Sequence, residues 1–204
     1  MRLFNGLDAN DYCATLWVDG KRLSARIDSS ESMSSESALD SEILQGLGRA
    51  DHMDWMIQKT TELGVKRISL FPAERSQSPI KAAQLDKKLL HWRSVAISAC
   101  EQSGRALLPT ISYHPNLDEA LTARRHEQRL LLDFAGPPLQ SCLQASATSV
   151  AILLGPEGGL TTSEIERAKS AGFMPASLGP RVLRTETAAT SALAIAQSLL
   201  GDMG

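Results

Sequence analysis

Two glycine-bearing segments constrain this chain most. Leu154-Gly155-Pro156-Glu157-Gly158-Gly159 follows the apolar run Val150-Ala-Ile-Leu-Leu154 and precedes a helical pattern. Leu178-Gly179-Pro180-Arg181-Val182-Leu183-Arg184-Thr185-Glu186-Thr187-Ala188 does the same a few residues later. A continuous apolar run suits a strand buried on both faces, which is the habit of parallel sheets. Glycine at the strand end lets the main chain turn with positive φ and approach a ligand closely. Two such junctions close together can build one pocket from backbone amides and carbonyls.

The rest of the chain from residue 42 repeats the alternation. Strands are expected at 42–47, 67–71, 129–133, 150–154 and 174–178. Helices are expected at 51–63, with Asp51 as N-cap and Gly64 as the stop, and at 82–101. A third covers 161–171, where Thr161 and Glu164 form a capping box, and a fourth covers 185–200. This is the pattern of an open parallel α/β sheet, whose ligands sit beyond the strand C-termini. Residues 1–28 read differently: Tyr12 to Val18 and Lys21 to Ile27 are strand candidates around the hairpin signal Asp19-Gly20. A Ser- and acid-rich stretch, 29–41, reads as a linker between the two parts.

Bulk properties exclude several classes. A 43% hydrophobic content supports a full core, and a net charge of −2 argues against an overall basic nucleic-acid binder without excluding local patches. Cys13, Cys100 and Cys142 are widely spaced and odd in number, so neither a disulfide framework nor a zinc site is expected. The N-terminus has no basic-then-apolar signal pattern. No apolar run approaches the roughly 20 residues of a membrane helix. The expectation is a cytoplasmic protein with no metal.

The loops narrow the ligand. Neither glycine segment is followed by Lys-Ser/Thr, and the spacing is not GxGxxG, so phosphate and dinucleotide fingerprints both fail. Glu157 inside the first loop favours a neutral or positively charged ligand. Arg181, Arg184 and Glu186 concentrate charge in the second loop between apolar segments. His52, His91, His114 and His126 have no partner pattern and read as surface or boundary residues. Lys59 and Glu62 sit three apart and suit a helical pair. Arg124-Arg125 reads as a solvated helix end.

These two segments resemble the C-terminal signatures of the SPOUT methyltransferases. Gln58-Lys-Thr-Thr-Glu-Leu-Gly-Val65, Glu74-Arg-Ser76 and Glu101-Gln-Ser-Gly-Arg105 with Pro109 lie upstream in the expected order. Together they are similar to the ribosomal RNA small subunit methyltransferase E family, which methylates uridine N3 in 16S ribosomal RNA. The resemblance covers about residues 42–201. It implies a SPOUT-type parallel sheet over residues 42–204 with a C-terminal trefoil knot, and a homodimer acting on the small ribosomal subunit.

It also implies S-adenosylmethionine as methyl donor. The cofactor pocket would use Leu154, Gly155, Glu157, Gly158 and Gly159, then Leu178, Gly179, Arg181, Val182 and Leu183. Glu186 is the candidate base for the uracil N3 proton, and Arg184 the candidate holder of uracil oxygens or a phosphate. Arg75, Gln102 and Arg105 are candidate RNA contacts. The family's N-terminal domain is a PUA-like β-barrel. Leu3-Phe4-Asn5-Gly6 matches its middle, so residues 1–28 are expected to form a partial barrel with weaker RNA capture. A non-catalytic RNA-binding or assembly role that keeps the knot is the alternative.

Overall fold

The computed structural model describes residues 1–33, 35–77, 80–122 and 126–204. Arg124 and Arg125 lie outside the described residues. The apolar runs form a parallel sheet. Its strands are β4 (Asp40–Gly46), β5 (Arg67–Phe71), β6 (Thr110–Tyr113), β7 (Gln128–Leu132), β8 (Ser149–Leu154) and β9 (Met174–Ala176), in the order β6-β5-β4-β8-β7-β9. Every neighbouring pair is parallel, with Ile43 opposite Ile68 on one side of β4 and Ile152 on the other.

Alternation along the strands separates two cores, because successive side chains point to opposite faces. Ile43, Ile68, Leu70, Ile152 and Leu154 pack with α1 (Ala50–Glu62), α2 (Ala82–Ser103) and α6 (Thr185–Leu200). Leu44, Phe71, Leu131, Ala151 and Leu153 pack with α3 (Leu117–Thr122) and α5 (Thr162–Ser170). A short α4 (Leu139–Cys142) follows β7. Fully burying one such Leu or Ile contributes about 1.5–3 kcal/mol, so the two faces dominate the stability of this unit.

Local signals set the helix ends. The capping box on α5 is formed: Thr161 accepts the Glu164 amide, and the Glu164 carboxylate accepts the Thr161 amide. Gly64 takes φ +84 just past α1, where a residue with Cβ would be strained. The start of α1 differs from expectation. Its N-cap is Arg49, with no side-chain cap, and Asp51 lies inside the first turn. The reason is tertiary: Glu157, from the first glycine loop, accepts the Arg49 amide at 2.9 Å and does the work of a cap.

The N-terminal residues form a separate antiparallel sheet of β1 (Arg2–Leu3), β2 (Asn10–Asp19) and β3 (Arg22–Ser32). The hairpin turns at Gly20, φ +61, with Asp19 opposite Arg22. β3 runs on to Ser32, past residue 28, and Ser37 and Leu39 beyond it are buried. This sheet leaves Trp17, Val18, Leu23 and Ile27 exposed. It touches the α/β unit at Gly6, whose carbonyl accepts the Leu108 amide at 3.2 Å.

Candidate active site

The ends of β8 and β9 hold the two glycine loops, and a cavity of about 660 Å³ lies between them. The first loop folds tightly on itself. A Cβ on Gly155 would lie 2.8 Å from backbone atoms of Gly159 and Leu160, so only glycine fits. Gly159 turns at φ +69. The loop is tied down from three sides. Gln45 at the end of β4 donates to the Gly155 carbonyl at 2.9 Å and to Thr185 Oγ1 at 3.0 Å. Thr185 Oγ1 itself donates to the Gly155 carbonyl at 2.9 Å. From outside, Arg75 Nη1 donates to the carbonyls of Gly158 (3.1 Å) and Leu160 (3.3 Å).

The second loop crosses the sheet. β9 lies beyond β7, yet α6 begins beside Gly155 and Gln45, near the middle of the sheet. Residues 177–184 therefore travel back over the strand ends. Beside the loop after β7, Ser177 donates its amide to the Pro137 carbonyl and accepts the Leu139 amide, both at 2.8 Å. Gly136 makes this approach possible, since a Cβ there would meet the backbone of Pro175 and Ala176.

Most residues expected at a cofactor site line the cavity. Leu154, Gly155, Glu157 and Gly159 form one wall, and Leu178, Gly179, Arg181, Val182 and Leu183 form the other. Gly158 does not: it faces Arg75, whose Cβ would lie 3.1 Å from a Cβ added there. Arg184 is at the mouth and exposed. Glu186 sits beside the cavity in the first turn of α6, 7% exposed, and its Oε2 has no hydrogen-bond partner.

Glu157 is partly withdrawn from solvent, which would raise its carboxyl. The Arg49 amide, its own amide and His52 outweigh that, and hold the group below its ordinary value.

Two expected RNA contacts lie elsewhere. α2 runs antiparallel to the strands, so its C-terminus returns to the opposite edge of the sheet. Gln102 is exposed there. Arg105 is buried, 4% exposed, and donates to the Thr61 and Val65 carbonyls and to Glu36. It is a structural tie: both Nη1–H groups and the Nε–H are spent within the chain. Lys59 and Glu62 pair at 2.9 Å along α1.

Residues 35–197 match the model of a family described as the RNA methyltransferase domain. The chain belongs to this family. A ribosomal RNA small subunit methyltransferase E from Buchnera aphidicola of the aphid Acyrthosiphon pisum is 31% identical over 82% of this chain. That alignment spans 66% of the relative's length. Among solved structures, a Legionella pneumophila methyltransferase in complex with S-adenosylmethionine superposes with TM-score 0.93 at 36% identity. It covers 98% of this chain and 83% of that one. A ribosomal RNA small subunit methyltransferase E from Neisseria gonorrhoeae, bound to S-adenosylmethionine, gives TM-score 0.88 at 34% identity, covering 100% and 84%.

Within this domain, one wall of the cavity is not foreshadowed by the sequence motifs. Arg49, Asp51 and His52 follow β4; Leu132 ends β7, and Asp133 and Phe134 follow it. His52 is half-buried, at the boundary as expected, but it has a partner that no local pattern shows: its Nδ1 is 2.8 Å from Glu157 Oε1. His126 is also buried, 7% exposed, beside Arg67 and Glu42. The rule that ligands collect beyond strand C-termini would have pointed to the residues after β4 and β7. Among the described residues no group of His, Cys, Asp and Glu is arranged to hold a metal, and no helix is long and apolar enough to cross a membrane.

Proposed function

We propose that this chain transfers a methyl group from S-adenosylmethionine to uridine N3 in 16S ribosomal RNA of the small subunit. The observation that carries the reading is the cavity between the two glycine loops, in a fold shared with relatives solved bound to that cofactor. The cavity fits such a group. Its volume lies in the range of small-molecule sites, about 300–1,000 Å³. Gly179 turns at φ +91 with no atom within 4 Å of a Cβ position, so a ligand can approach its backbone. Leu132, Leu154 and Leu178 offer apolar walls, and Asp51, Asp133 and Glu157 offer negative charge to a cationic ligand.

When bound, S-adenosylmethionine supplies an electrophilic methyl on a sulfonium. The chain has to align the acceptor, which can be worth roughly 7–11 kcal/mol, and remove a proton. Uracil N3 carries a hydrogen and is a weak nucleophile until it leaves. Glu186 accepts that proton, and its unpartnered Oε2 suits the task. Arg184, exposed at the mouth, holds a uracil oxygen or a neighbouring phosphate through its planar fork. Arg75 is the remaining candidate RNA contact near the site.

The same reading includes a trefoil knot, supported by the return of residues 177–184 past the loop after β7. It includes a partial PUA-like unit that ends with β3, a methyltransferase unit that begins with β4, and a linker between them. It also includes a homodimer in the cytoplasm, for which the exposed Phe134 and Val182 at the cavity are the supporting surface.

The test is labelled-cofactor methylation of small subunits lacking the modification, with nucleoside analysis. N3-methyluridine is the expected product. Cofactor binding without transfer would instead support a non-catalytic RNA-binding role.

A further inference from the structure

His52 stands between acidic side chains. Its Nδ1 is 2.8 Å from Glu157 Oε1 and 3.6 Å from Glu186 Oε2, while Nε2 faces Asp51 Oδ2 at 3.8 Å. An ionised carboxylate has no proton to give, so the short contact requires the proton on Nδ1. At 2.8 Å this is a hydrogen bond; at 3.6 Å it is not. One donor therefore faces two acceptors, and Glu157 holds it.

The surroundings keep it there. Glu157 Oε1 also accepts the Arg49 amide, and a Cβ on Gly48 would lie 2.7 Å from both carboxylate oxygens. The Glu157 head thus lies against the backbone of Gly48 and the start of α1. Glu186 has a side chain only 9% exposed, and its Oε2 lacks any hydrogen-bond partner. A hydrogen bond donated to a carboxylate stabilises its charged form and competes with a proton it should accept. An acceptor of protons works best with that donor pointed elsewhere.

We propose that His52 is a positioning residue that divides the labour between two carboxylates. Its Nδ1–H commits Glu157 to holding the first glycine loop against the start of α1. That leaves Glu186 free for the uracil proton. The second half of this inference rests on the uridine-N3 reading; the first concerns the free protein alone. The proton balance is simple. The N3–H bond breaks and its proton forms a neutral carboxyl on Glu186. The electron pair left on N3 forms the bond to the methyl carbon as the sulfur–carbon bond breaks. His52 keeps its proton throughout.

Four variants of the full chain test this, read by calorimetry for S-adenosylmethionine and by transfer rate at saturating cofactor. His52→Leu should raise the cofactor Kd about tenfold, the size of one lost charged hydrogen bond, and lower the rate less than Glu157→Ala does. His52→Asn, whose amide can replace the Nδ1–H, should restore the Kd. Glu157→Ala should free the histidine to turn on Glu186, so the rate falls about tenfold. Adding His52→Leu to Glu157→Ala should then recover part of that rate. A double variant slower than Glu157→Ala, or His52→Asn no better than His52→Leu, would overturn the proposal.

Nitrogen-15 NMR of the free protein separates this from the uridine reading. The Nδ1–H resonance of His52 should move in Glu157→Ala and stay in Glu186→Ala. The reverse would sink the inference even if methylation proceeds. The expected pattern would uphold its first half even if no N3-methyluridine forms.

Discussion

Both edges of the parallel sheet carry an arginine and a glutamate, used in opposite ways. At the N-terminal edge, Arg105 and Glu36 are tied to each other and to the backbone: Glu36 Oε1 accepts the amides of Ala106 and Leu107, and Arg105 caps two carbonyls. At the C-terminal edge, Arg184 is exposed without an acidic partner among the described residues, and Glu186 Oε2 has no donor. Buried polar groups are normally satisfied. A buried arginine whose bonds tie a glutamate and two carbonyls together maintains the fold. A buried carboxylate oxygen left without a hydrogen bond is not explained by the fold alone.

The comparison breaks if the edges respond alike to substitution. Arg105→Met should cost the most, about 3–5 kcal/mol, because it strands a partly buried carboxylate and two carbonyls. Urea unfolding measures it, and cofactor affinity in the folded fraction should be unchanged. Glu186→Gln should show the converse: a transfer rate down by about 100-fold or more, as for loss of a general base, with the urea midpoint little moved. If Glu186→Gln unfolds the protein, or Arg105→Met removes binding without touching stability, the two edges are not divided as described.

Gly155→Ala should fall between, at about 1–3 kcal/mol for overpacking with weaker cofactor binding, because backbone occupies the space its Cβ needs. Gly104, at φ +74 with open space around it, should leave binding untouched when changed to alanine.

Smaller effects sharpen the picture. Glu157 is held below its ordinary value of 4.5 in the fold. A lowered carboxyl stabilises the native state above its unfolded pKa, and that contribution disappears as pH falls through the folded value. Acid titration of stability should therefore be shallower in Glu157→Gln than in wild type. Smallest of all, burial pushes the Cys100 thiol up to about 11, against the pull of Arg105. At pH 8 Cys100 should react with a thiol reagent more slowly than the partly exposed Cys142.

The order of elements was legible where chemistry is local. β8 and α5 announce themselves through an apolar run and a capping box, and the observed bounds of these and of α6 differ from expectation by a residue at most. β6 was missed because four residues at a sheet edge, none fully buried, leave no apolar run. α3 has only six residues. The site divides the same way. Both glycine loops were readable from their own residues. His52 was not, because its partner Glu157 lies 105 positions away. Arg105 was misread because a position after a helix end says nothing about which sheet edge that end reaches.

The triangle of Gln45, Gly155 and Thr185 has a consequence for synthesis. Every strand of the sheet is complete by Ala176, yet the segment that closes the cavity arrives only with Thr185. A nascent chain can thus hold all its strands and still have no place for a ligand. Acquiring the cofactor would then mark the docking of α6 onto the finished sheet.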